Sequence, residues 1–126
     1  MDKLLGYRRK RRPIMARTVR PITATITVSS GTGSLDTSSD QEFLPIRDAG
    51  GMIIQVLVTG AGGAESDTFR LRITDSDGFI IFDEVSESAH LNTITRFPMR
   101  GTHTIEILEA QKDGDFELKL MHEELW

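Results

Sequence analysis

FRLRITDSDGFIIFD, residues 69–83, is the stretch on which the reading of the fold turns. Phe69, Leu71 and Ile73 alternate with Arg70 and Arg72, which gives an extended chain one apolar side and one charged side. Asp75, Ser76, Asp77 and Gly78 then reverse the chain. Gly78 suits the left-handed position of a short hairpin loop, and the flanking aspartates can bond the turn's own amides. Phe79 to Asp83 continues as the returning strand.

The same period extends in both directions. Ile22, Ala24, Ile26 and Val28 alternate with Thr23, Thr25 and Thr27, a half-buried strand with β-branched residues on both faces. Ser29 to Asp40 (SSGTGSLDTSSD) has one apolar residue and reads as a loop. Phe43 to Ile46 reads as a short edge segment, because Pro45 cannot donate to a central ladder. Met52 to Thr59 (MIIQVLVT) is almost continuously apolar and reads as a strand buried on both faces. Thr93 to Phe97 is a further strand, which Pro98 and Gly101 should end. His103 to Glu109 and Asp115 to Met121 alternate cleanly, and Ala110 to Gly114 reads as a hairpin turn between them. Only Phe82 to Leu91 has room for a helical turn. The expected fold is all-β: an antiparallel β-sandwich, jelly-roll-like, with seven to eight strands over residues 21–126 and an extended N-terminal arm over residues 1–20. Ile54, Val56, Leu71, Ile73, Ile105, Ile107, Phe116, Leu118 and Leu120 should form its core.

Composition limits the chemistry. The 126 residues, 38% hydrophobic and 27% charged, suit one globular domain rather than a disordered or fibrous chain. The absence of Cys excludes disulfides, thiolate metal sites and a cysteine nucleophile. No apolar run reaches the length of a membrane-spanning helix. The basic cluster near the N-terminus is not followed by the apolar stretch that a secretory or twin-arginine signal needs, so the expected location is a virion or otherwise the cytoplasm. There is no G-x-S-x-G elbow, phosphate-binding loop, H-E-x-x-H pair or dinucleotide fingerprint, and no catalytic residue or cofactor is assigned.

Residues 69–121 run as strand, D-x-D-G turn, strand, polar loop, then GTHTIEI (101–107) and GDFELKL (114–120). This cadence resembles the last strands of pre-peptidase C-terminal type β-sandwiches, and more loosely the Golgi-dynamics sandwich. Phe116 stands where such domains tend to carry an aromatic after the second Gly, while His103 replaces the Tyr expected after the first. The resemblance implies a sandwich and transfers no functional residue.

One constellation has ligand character. If residues 103–109 and 115–121 pair as a hairpin, His103 and His122 fall nearly opposite each other. In an up-and-down meander the Asp75–Asp77 turn joins them, offering nitrogen and oxygen ligands suited to a divalent metal. The competing expectation, which we adopt, is that the two histidines cap the open end of the core, the aspartates build a turn, and no metal binds. For calcium, Asp75 and Asp77 supply too few oxygens, and Asp113 and Asp115 would lie at the opposite end.

The N-terminal segment carries the strongest functional signal. Residues 1–20 hold eight basic side chains and one acid, a net charge of +7, against −11 for residues 21–126. Arg8, Arg9, Lys10, Arg11 and Arg12 form an unbroken run, extended by Arg17 and Arg20. Such a run repels itself and has nothing to bury, but it neutralises phosphates with release of counterions. Its other candidate partners are an anionic membrane surface, with Leu4 and Leu5 as a small anchor, and the acidic face of a neighbouring subunit. Trp126, at the C-terminus, suits docking against a partner. The chain as a whole resembles a small virion structural protein: a non-catalytic capsid, decoration or tail subunit that forms homo-oligomers or binds other virion proteins, with nucleic acid possible through the arm. The alternative is a non-catalytic carbohydrate- or protein-binding module.

Overall fold

The computed structural model describes residues 18–124. Eight strands run in chain order: β1 (Val19–Val28), β2 (Gly33–Asp36), β3 (Gly51–Thr59), β4 (Arg70–Asp75), β5 (Ile80–Val85), β6 (His90–Met99), β7 (His103–Leu108) and β8 (Gly114–Glu123). Two 3₁₀ turns, Thr37–Ser39 and Gln41–Phe43, lead into a single short helix, α1 (Leu44–Asp48), before β3.

The pairing is nested. β4 and β5 form the innermost hairpin; outside it β3 pairs with β6, β2 with β7 and β1 with β8, every pair antiparallel. Two further ladders, β3 with β8 and β4 with β7, complete four-stranded sheets of order β1-β8-β3-β6 and β2-β7-β4-β5. A double-layered ribbon of this kind is a jelly roll. The inner faces supply one core in which Ile26, Val56, Phe116, Leu118 and Leu120 of the first sheet meet Leu71, Ile73, Ile105 and Ile107 of the second. Phe69 meets Phe116 edge-on, with ring centroids 5.1 Å apart.

The innermost turn is built as the sequence suggests. The Asp75 carboxylate accepts the amides of Asp77 and Phe79, both at 2.9 Å, and Gly78 sits at φ +91°. Elsewhere the structure departs from the reading in six places. Residues 29–40 are not simply a loop. Gly33–Asp36 forms β2 on backbone pairing to β7, with Leu35 opposite Ile105 and packed against the core. Gly33 is required here, because a Cβ would run into the Thr27 carbonyl of β1. Residues 43–46 are helical, not extended. Pro45 lies in the first turn of α1, where its missing N–H costs nothing, and Phe43 and Ile46 are fully buried.

In β3 a bulge at Ile54 shifts the alternation, so Ile53, Val56 and Val58 face the core and Ile54 does not. Residues 82–91 hold no helix: β5 runs to Val85 and β6 begins at His90. β6 then continues through Pro98, which it tolerates because it is an edge strand. Finally, β7 and β8 are not a hairpin and the topology is not a meander. The two strands lie in different sheets, and residues 109–113 cross between the layers. That crossing is fixed by Ala110 N–H donating to Gly31 O, and by Asp113 accepting the amides of Ser30 and Gly31.

Leu118 is 2% exposed at the centre of the core, whereas its neighbour Lys119 faces out. Leu118→Ala should cost about 2–5 kcal/mol, and Lys119→Ala less than about 0.5 kcal/mol. Chemical denaturation of the two variants measures both.

Candidate functional site

β1 begins, β8 ends, β3 begins and β6 ends at one end of the sandwich, as the pairs Val19–Glu123, Met52–Glu123 and Gly51–Met99 require. The second sheet contributes the end of β2, the start of β7 and the β4–β5 turn to the same end, with Asp36 opposite Thr104 and Asp75 opposite His103. The 37–50 and 100–102 connections close it. Gly101 N–H donates to Ile46 O, and Arg47 donates to the carbonyls of Thr37 and Asp40, both at 2.6 Å. The segment before Thr18 and the segment after Glu124 therefore both start from this end, where Glu124 N–H donates to Thr18 O at 2.9 Å.

The sequence-predicted residues divide accordingly. Arg8, Arg9, Lys10, Arg11, Arg12, Arg17 and Trp126 lie outside the described residues. Arg20 belongs to β1, not to an arm: it stands opposite His122 and its guanidinium pairs with Glu124 at 3.0 Å. His103 and Asp75 are brought together as cross-strand neighbours. His122 lies in the other sheet, between Arg20 of β1 and Ile53 of β3, so the hairpin that was to set the two imidazoles side by side does not exist. Among the described residues no group of three or more His, Asp or Glu side chains is arranged to hold a metal ion.

Both imidazoles are nonetheless buried. His103 is 4% exposed, and its backbone N–H donates to the buried Thr37 hydroxyl at 2.8 Å. His122 is fully buried, with Nε2 3.4 Å from the Gly50 carbonyl, and a Cβ at Gly51 would collide with its ring. Burial pushes the pKa of His103 down, against smaller upward contributions from its hydrogen bond to Gly101 and from the Asp75 charge. The unfolded chain therefore takes up a proton at this position before the folded one does. Stability should fall as pH drops below about 6.5. Asp36 and Asp83, held below the usual carboxylate range by Ser38 and by Arg70 respectively, lose their contribution only below about pH 4. Denaturation midpoints across this window should slope downward toward acid for the native chain and be flatter for His103→Gln.

Two surfaces stand out that sequence reasoning passed over. The outer face of the β2-β7-β4-β5 sheet is charged, with Arg70 and Arg72 sharing Asp83 at 2.7 and 3.3 Å. The outer face of the other sheet is mixed, with Glu117 and Lys119 standing among apolar and uncharged side chains. Across it Pro21, Met121, Gln55 and Ile94 stand in one row, and Thr23, Lys119, Leu57 and Asn92 in the next. Ile94 is 76% exposed. A shallow depression of about 310 Å³ lies here, lined by Thr23, Leu57, Thr59, Glu117, Leu118 and Lys119. The second surface is the tip of the β4–β5 hairpin, where Phe79 is 68% and Ile80 53% exposed. The only sequence signal for it was two large apolar residues directly after a D-x-D-G turn, a place where polar residues are usual.

Fold and surfaces together define a jelly roll with an apolar tip, one mixed outer face and both ends of the described segment, Thr18 and Glu124, on the same side. No family model matches the chain, and no curated protein matches it in sequence. Two solved structures are similar in outline. One is the Drosophila NLP core, a structure described for pentamer formation and histone binding; it is 15% identical, with 83% of this chain and 96% of that one covered and a TM-score of 0.47. The other is the virus-like particle of the extra small virus of the giant freshwater prawn Macrobrachium rosenbergii, 13% identical, with 90% and 82% covered and a TM-score of 0.40. Both are too distant to carry a function across. No helix among the described residues is long and apolar enough to cross a membrane.

Proposed function

We propose that this chain is a non-catalytic structural subunit of a self-assembling particle, a small viral capsid, decoration or tail protein. In this reading the jelly roll forms the wall, and the basic segment reaches neighbouring subunits or packaged nucleic acid. A jelly roll alone does not select a function, since the fold also serves as lectins and cupins. The observation that carries the reading is the separation of charge along the chain. Residues 1–17 carry a net charge of +6 and residues 18–126 one of −10, and the basic segment joins the body at the end where the C-terminal segment also departs. An isolated binding module has no need of such polarity. In an assembly it lets the basic segment of one subunit lie on the acidic body of the next, or on phosphate, while like-charged bodies are kept from unspecific contact.

Removing residues 1–17 tests this, because it leaves β1 complete. The shortened chain should keep the native denaturation midpoint and should assemble more weakly than the full chain in light scattering. The difference should shrink as salt rises. If the partner is nucleic acid, log affinity should fall linearly with log salt, with a slope near −0.9 per phosphate contact to duplex or about −0.7 to single strands; an acidic protein partner gives a shallower dependence. A full-length chain that stays monomeric at every salt and concentration, with nucleic acid present or absent, would overturn the reading in favour of a carbohydrate- or protein-binding module.

A further inference from the structure

We infer that copies of this chain join head to side, the Phe79–Ile80 tip of one subunit seating in the depression beside Leu57 and Lys119 on the outer sheet face of the next. The inference deepens the assembly reading above and rests on it. Three observations point to a second copy as the occupant.

The first is that the exposed apolar side chains are split between separate surfaces. Phe79 and Ile80, the tip residues, and Ile94, on a sheet face built from other strands with the half-buried Leu57 beside it, are the most exposed of the large apolar side chains, ahead of Val19, Leu44 and Val85. An interface that seats the tip of one copy on the face of the next without reciprocation is heterologous, and heterologous contacts close into rings or propagate into larger assemblies.

The second is charge. Asp77 at the tip and Lys119 at the depression are both exposed, and neither makes an ion pair to another described residue. The other charged side chain of the depression, Glu117, is already engaged by the Thr25 hydroxyl at 3.0 and 3.1 Å. Lys119 is the cation of the depression and Asp77 has the opposite sign, while Glu117 keeps its charge beside Lys119 and favours a docked group that reaches Lys119 directly.

The third is rigidity. Asp75 accepts two amides of the tip, Asp75 N–H donates to Phe79 O at 2.9 Å, and Gly78 N–H donates to Asp75 O at 3.1 Å. Phe79 is therefore presented with its backbone already ordered, which removes much of the entropic cost of docking a loop. An aromatic on a preordered support is the kind of anchor on which interfaces concentrate their energy. The depression, at about 310 Å³ and with Leu57 among its lining residues, offers space to receive it.

Mixing full-length variants tests the inference. Phe79→Asp removes the tip, and Leu57→Asp or the more exposed Ile94→Asp removes the receiving face. Each alone should weaken self-association at least tenfold in analytical ultracentrifugation. An equimolar mixture of a tip variant with a face variant retains one intact interface per pair, so it should form dimers that neither forms alone. Asp77→Lys and Lys119→Glu, which leave folding untouched, should each weaken assembly, and the doubly exchanged chain should regain at least half of the native association. If the native chain assembles but Phe79→Asp assembles equally well, the inference fails and the assembly reading stands. Loss with both single variants but no dimer in the mixture, or no recovery on charge exchange, also overturns it. A native chain that never associates overturns both.

Discussion

The β4–β5 turn is the constraint on which the rest of the structure depends. Its pairing is the innermost of four and closes the shortest loop, so it is the pairing with the least entropy to overcome. The Asp75 carboxylate, by holding the amides of Asp77 and Phe79, fixes where the ribbon folds back. Everything outside it pairs over growing sequence separation, up to Val19 with Glu123. Such long-range pairing must overcome loop-closure entropy before it gains contacts, which makes folding slow relative to a helical domain of this size. The chain offsets this with one apolar core in which residues of both sheets interlock, so that the layers stabilise each other once they meet.

Much of this was legible in the sequence, because period-two alternation is a local property of the chain. The strands at 22–28, 70–75, 103–108 and 115–121 follow from their own side chains, as does the turn at 75–78. What was not legible was decided at a distance. Residues 103–109 and 115–121, joined by a short Gly-containing stretch, look like a hairpin by every local criterion. They do not pair, because β8 is already flanked on both sides by β1 and β3. β2 carries too little apolar character to announce itself and is a strand because β7 offers it a ladder. Ile53 rather than Ile54 faces inward because a bulge answers to two neighbouring strands at once.

The candidate sites were less legible than the fold. A cluster of basic residues is visible in any sequence, and its charge needs no structure to be counted. An apolar tip and an exposed Ile94 on an outer sheet face are visible only when the sheets are known, since burial, not hydrophobicity, separates Phe79 from Phe82 and Ile94 from Leu91. The histidines illustrate the opposite error. They looked like paired ligands through an assumed register and are separately buried, each with an Nδ1 that lacks a hydrogen-bond partner among the described residues.

Proline occupies both outermost strands of the first sheet, Pro21 in β1 and Pro98 in β6. The outer strands of the second sheet are short instead, four residues in β2 and six in β5. An open sheet margin is a template on which any extended chain can add itself, and crowding many identical copies makes that hazard acute. The two margins of the first sheet are interrupted at the end where Pro21 and Pro98 stand, and those of the second are short. These devices disfavour ladder extension into amyloid-like stacks and leave contact with other chains more to side chains on faces and tips, where sequence can specify a partner.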